Sequence, residues 1–131
     1  AIRRASLWIA AVPTGTTGTV AFSASATAAG AGILIWSLYP DAVVHATTTT
    51  LGASLTVADP GAVIGVGFDS LAAGTTISWT GLTADGNVGW TSSGVQLKLS
   101  GARLITPGAV TVNMSGSSGG PYGFAAASLG I

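Results

Sequence analysis

Ala28–Thr50 reads AAGAGILIWSLYPDAVVHATTTT, and how it is read decides the fold. It holds the longest apolar run of the chain, then Asp41, then His45, the sole histidine. Three readings compete: a membrane-spanning helix, half of a catalytic dyad, or two strands joined by a turn. A spanning helix needs about 20 consecutive, mostly apolar residues. The run Ala28–Tyr39 is twelve residues long even with Ser37 allowed. Just before it, Val20, Phe22, Ala24 and Ala26 alternate with Ala21, Ser23, Ser25 and Thr27. Period two marks a strand, not a helix. The expectation is two strands meeting at Gly30–Gly32, a turn at Tyr39-Pro40-Asp41, and no membrane insertion.

The alternation recurs downstream. Leu51, Ala53, Leu55 and Val57 oppose Gly52, Ser54 and Thr56. Ile64, Val66 and Phe68 oppose Val63, Gly65, Gly67 and Asp69, and Ile77 and Trp79 oppose Thr76, Ser78 and Thr80. Val88 and Trp90 follow. Val95, Leu97 and Leu99 oppose Gln96, Lys98 and Ser100 in the cleanest amphipathic pattern of the chain. Val110, Val112 and Met114 oppose Thr111, Asn113 and Ser115, and Phe124–Ile131 is placed to close a sheet. Between these segments, Asp59-Pro60-Gly61-Ala62 suits a type II turn and Asp85-Gly86 a tight hairpin. No window sustains a helical period. Eight to ten short strands at this spacing predict an all-β chain, an antiparallel β-sandwich or jelly roll, as one domain over residues 1–131.

Gly32–Tyr39 departs from the pattern because both of its faces are apolar. Ile33, Ile35 and Tyr39 share one face, and Leu34, Trp36 and Leu38 share the other. An antiparallel strand with one wet face does not look like this. Such a segment is either covered on both sides or packs on another subunit. Leu34, Trp36 and Leu38, or their opposite face, are therefore candidate interface residues. Trp8, out of phase with Leu7 and Ile9, and Trp36, on this two-faced segment, are each a platform for a sugar ring or an interface anchor, and aromatic enrichment at interfaces favours the anchor. Trp79 and Trp90 are in phase with core positions.

Composition excludes several classes. Arg3, Arg4, Lys98 and Arg103 balance Asp41, Asp59, Asp69 and Asp85, giving a net charge of 0 with no Glu at all. Such a surface has no electrostatic footprint for nucleic acid. It also lacks the repulsion that keeps copies apart, which favours a homo-oligomer. The 0 cysteines remove disulfides, thiolate metal sites and a thiol nucleophile. The opening AIRRASLWIAAVP has two Arg before an apolar stretch, but that stretch ends at Pro13 and is needed as a strand, so a signal peptide is not expected.

Catalytic constellations are also missing. Asp41 and His45 on an extended strand stand about 13 Å apart, at roughly 3.3 Å per residue, too far to share a proton or a metal. Gly116-Ser117-Ser118-Gly119-Gly120 matches the nucleophile-elbow spacing, yet no Asp or His follows it. Four Asp supply no designed carboxylate pair, and Asp85-Gly86-Asn87 has too few oxygens for a calcium loop. No cofactor and no metal are expected, and the chain does not read as an enzyme. Ser117, Ser118 and Tyr122 in the Gly-rich loop remain as ligand-contact candidates, with host surface glycans as the ligand class.

With the strands placed, the order of local motifs becomes informative. SLWIAAVPTGTTGTVAFSASATAAGAGILIWSLY is followed by GTTISWTGLTADGNVGWTSSG, then by GARL, VTVNMSG and FAAASLGI. This series resembles small Gly/Ala/Thr-rich β-structural proteins of tailed phages and prophages. Relatives commonly carry Arg-Cys-Gly where this chain has Gly30-Ala31-Gly32. The resemblance implies a virion component: a capsid-decoration, head-fibre or tail-fibre module whose partners are its own copies and other virion proteins. It brings no catalytic residues.

Overall fold

The computed structural model describes residues 4–10, 19–21, 23, 31–38, 41–70, 75–92, 94–115 and 122–131. Among these are eight strands and no helix: β1 (Val43–Thr48), β2 (Ala53–Val57), β3 (Gly61–Ser70), β4 (Ser78–Thr80), β5 (Thr83–Ser92), β6 (Val95–Leu104), β7 (Gly108–Ser115) and β8 (Gly123–Gly130). No helix of the described residues is long and apolar enough to cross a membrane. The strands form two antiparallel sheets, a five-stranded one in the order β1-β8-β3-β6-β5 and a three-stranded one in the order β2-β7-β4. From β1 to β4 the chain changes sheet at every connection. It then runs β5 and β6 as a hairpin before crossing to β7 and back to β8. Strand β8 thus lies between β1 and β3, just as β7 lies between β2 and β4. That interleaving is the jelly-roll arrangement of an antiparallel sandwich.

The inner core follows from the alternation in the sequence. In β7 the pattern is strict, with Val110, Val112 and Met114 buried and Thr111, Asn113 and Ser115 exposed. Leu55 and Val57 of β2 and Ile77 before β4 join them. The five-stranded sheet answers with Val63, Ala102, Phe124 and Ala126. Gly65 and Gly67 leave room on the inner side of β3. A Cβ at Gly65 would stand 2.8 Å from Cζ3 of Trp79, and one at Gly67 would overlap the sulfur of Met114. Trp79 donates from Nε1 to Ser100 Oγ at 2.8 Å, and Ser100 donates on to the Gly86 carbonyl at 3.1 Å. Ser128 likewise donates to the Thr56 carbonyl across the two sheets. These bonds satisfy hydroxyls that burial would otherwise penalise.

Four local expectations are corrected. First, residues 31–38, 19–21 and 23 belong to no strand; the remainder of the two segments expected there, Phe22, 24–30 and Tyr39, lies outside the described residues. Second, Gly61 opens β3 without the positive φ that a type II turn needs there, so Asp59-Pro60-Gly61-Ala62 is not such a turn. Gly61 is needed there for close approach, since a Cβ would run into the Leu129 carbonyl. Third, Asp85-Gly86 lies within β5, at a register shift between Ala84 and Gly86, and is a bulge instead of a hairpin turn. The hairpin forms later, where Ser92 pairs Val95 and Gly94 takes φ 77. Fourth, Ser100 of β6 is fully buried, because this sheet is covered on both faces, while Val95 is exposed at the hairpin end of the strand.

The two faces of β2 give a direct check. Leu55 is buried in the inner core, whereas Ser54 is exposed. Leu55→Ala should lower unfolding free energy by about 2–5 kcal/mol in a urea titration. Ser54→Ala should stay within about 0.5 kcal/mol of the parent.

Candidate interaction surface

The outer face of the five-stranded sheet is apolar. Ile64 and Val66 of β3, Leu99 of β6, and Ala125, Ala127 and Leu129 of β8 are all buried there. Their cover is two extended segments, 4–10 and 31–38. From the first, Ala5 and Leu7 pack inward; from the second, Leu34, Trp36 and Leu38 do so. Leu7 touches both halves of this outer cluster and joins them. Phe68 and Trp90 complete it, with ring centroids 5.8 Å apart. Trp90 therefore packs in the outer layer, while Trp79 belongs to the inner core.

The segments alternate as strands do but are not strands. Among the described residues, no main-chain hydrogen bond joins 31–38 or 4–10 to a sheet. They lie across the face of the sheet, where its main-chain donors and acceptors are already engaged in the ladder. Alternate side chains still point into the face, which keeps the period of two. The seat for Trp36 is a glycine: a Cβ at Gly101 would stand 2.5 Å from Cζ2 of Trp36 and 2.8 Å from Cδ1 of Leu34.

One polar clamp fixes the register of this layer. The bulge in β5 turns Asp85 out of the ladder, as bulges re-aim side chains. Its Oδ2 accepts from Trp36 Nε1 at 2.8 Å, and its Oδ1 lies 3.1 Å from Arg103 Nε. With side-chain exposures of 57% for Arg103 and 26% for Asp85, the ion pair is partly solvated and contributes little by itself. The indole bond adds about 1 kcal/mol. Leu34, Trp36 and Leu38 are half-buried, so each adds on the order of 1 kcal/mol of apolar burial. Apolar contact holds the layer down, and the Asp85 clamp selects where Trp36 sits.

The same segments display a second apolar set. Trp8 is 91% exposed, Ile35 73%, Ile9 50% and Ile33 47%. Of the expected interface residues, Leu34, Trp36 and Leu38 thus face the chain's own sheet, and Trp8 faces away from it. Beside Trp8, an open hollow is lined by Ser6, Thr47–Thr49 and Ala125. Tyr122 is exposed, while Ser117 and Ser118 lie outside the described residues. Asp41 lies in an exposed turn ahead of β1, and His45 projects from β1 over Gly130 into a shallow hollow with Ser54, Thr56 and Ser128. Among the described residues, no group of three or more His, Cys, Asp or Glu stands together to hold a metal ion. Sequence reading missed the Asp85–Trp36–Arg103 clamp, because a bulge inside β5 has the same Asp-Gly signature as a turn.

No protein-family model, curated protein or solved structure matches this chain.

Asp85→Ala removes the clamp while leaving the apolar contacts. Chymotrypsin cleavage after Leu34, Trp36 or Leu38 should then accelerate about fivefold, the factor that about 1 kcal/mol represents. Arg103→Ala, which keeps the indole bond, should give a smaller increase. An unchanged Asp85→Ala rate would show that the clamp does not hold the segment.

Proposed function

We propose that this chain is a structural assembly module of a virion, a capsid-decoration or fibre domain of a tailed phage, that packs by its outer layer onto copies of itself and other virion proteins. The observation carrying this reading is the two-sided outer segment. One side of 31–38 is used on the chain's own sheet, and the other presents Ile33 and Ile35 to solvent beside a second segment presenting Trp8 and Ile9. Large exposed apolar side chains grouped on one layer mark interaction sites. With four basic and four acidic residues in the whole chain, little repulsion opposes association. The phage assignment draws on the order of motifs in the sequence.

A second reading has its own observation. An indole 91% exposed beside the hydroxyls of Thr47–Thr49 is a suitable platform for a sugar ring, as in a module that recognises host surface glycans. The two readings meet if the domain tips a fibre.

Light scattering across a concentration series separates them. The assembly reading expects a closed oligomer of defined mass, reduced to monomer by Ile35→Lys without loss of thermal stability. A monomer at every concentration, alone and with isolated shells, would sink it. Retention on a glycan panel, lost in Trp8→Ala with oligomer mass unchanged, would establish the second reading instead.

A further inference from the structure

We propose that the outer face of the five-stranded sheet is a socket for an extended Leu-x-Trp-x-Leu segment, and that copies of this chain exchange residues 31–38 between their sockets. The inference rests on the assembly reading for its partner, a second copy, and adds the device by which copies join. Three observations carry it. The segment is held by side chains, with no main-chain bond to the sheet among the described residues, so releasing it breaks no ladder. The socket is shaped for this sequence. Gly101 leaves the space that the Trp36 ring and Leu34 fill, and Ile64, Ala127 and Leu129 line the part that receives Trp36 and Leu38. Asp85, re-aimed by the bulge, offers one directional acceptor at 2.8 Å from the indole N–H, which fixes the register of whatever segment is seated.

Besides the chain's own segment, a second copy is the occupant that satisfies all of these features at once. Its 31–38 segment would make the same contacts in trans that the chain makes in cis, the equality on which swapping between protomers depends. The exposed Ile33 and Ile35 would travel with the segment and come to lie between the two copies. An unrelated apolar peptide would match the Leu seats but would lack the indole donor from which Asp85 Oδ2 accepts.

The absence of natural cysteine makes the test clean. Gly32 lies against Leu99, a Cβ there standing 2.7 Å from Leu99 Cδ2. Copies carrying only Gly32→Cys are mixed with copies carrying only Leu99→Cys, held at assembly concentration and mildly oxidised. Exchange predicts a disulfide-linked heterodimer on a non-reducing gel. It should be at least about tenfold more abundant than from Ile35→Cys mixed with Leu99→Cys, where the first thiol faces outward, and should form faster when both copies carry Asp85→Ala. Leu34→Cys mixed with Gly101→Cys is the second pair, should the Leu99 variant fold poorly. Linked dimer no more abundant than in the control, from both pairs, overturns the exchange. If light scattering still shows an oligomer in that case, the assembly reading stands without it; if it shows only monomer, both fall.

Discussion

The structure depends on one constraint: β8 is buried along its whole length. All eight positions from Gly123 to Gly130 are shielded, so both faces of the central sheet need cover. An antiparallel sheet in water normally leaves one face wet and shows it as alternation between polar and apolar residues. Here β8 reads Gly-Phe-Ala-Ala-Ala-Ser-Leu-Gly, small and apolar on both sides, and β3 beside it is almost as uniform. The second sheet covers one face with Leu55, Val57, Val110, Val112 and Met114. Among the described residues the other face meets no third sheet and is covered by segments 4–10 and 31–38. The smallness of the central strands has the same origin. Layers approaching from both sides leave no room for more than hydrogen at Gly65 and Gly67 inside, or at Gly101 outside.

That constraint also explains how a chain with so little charge uses what it has. Two of its charged groups, Asp85 and Arg103, lie at the border of the outer layer, and Asp85 meets the indole of Trp36. In energy this contact is minor beside the apolar burial it accompanies. In geometry it matters more, because apolar contact is nondirectional and would tolerate a segment sliding along the sheet. A single acceptor fixed by a β-bulge converts a greasy contact into a registered one. The inner core solves its own polar problem in the same economical way, with the Trp79 indole satisfied by Ser100 and Ser100 by a strand carbonyl.

The sequence was most legible where one face of a strand meets the core and the other meets water. β2 and β7 follow their written alternation residue by residue. It was least legible in the outer layer, for two physical reasons. Period two reports that alternate side chains point in opposite directions, and does not report whether the main chain is paired. Residues 31–38 satisfy the first condition without the second, so they read as a strand and are not one. Asp-Gly, in turn, signals a backbone that departs from a regular ladder, which a hairpin turn and a bulge both do. Only the partner strand distinguishes them, and alternation within one segment carries no information about its neighbour. The clamp was hidden for the same reason, since Trp36 and Asp85 are 49 residues apart.

A face covered by side chains alone differs in kind from one covered by a paired strand. A strand in a ladder is fixed by a row of directional bonds, and removing it exposes every one of them. Among the described residues, a segment lying across the finished sheet gives up only apolar contact and, here, one indole–carboxylate bond when it lifts, and Asp85 keeps its pairing with Arg103. Its affinity therefore lies in shape and in three side chains, Leu34, Trp36 and Leu38, which any chemically identical segment would reproduce. The two apolar faces of 31–38 follow from this arrangement. The inward face is what the sheet requires, and the outward face, Ile33 and Ile35, joins neither apolar cluster among the described residues. A layer that no ladder fixes is thus held by apolar shape on one side while it displays Ile33 and Ile35 on the other.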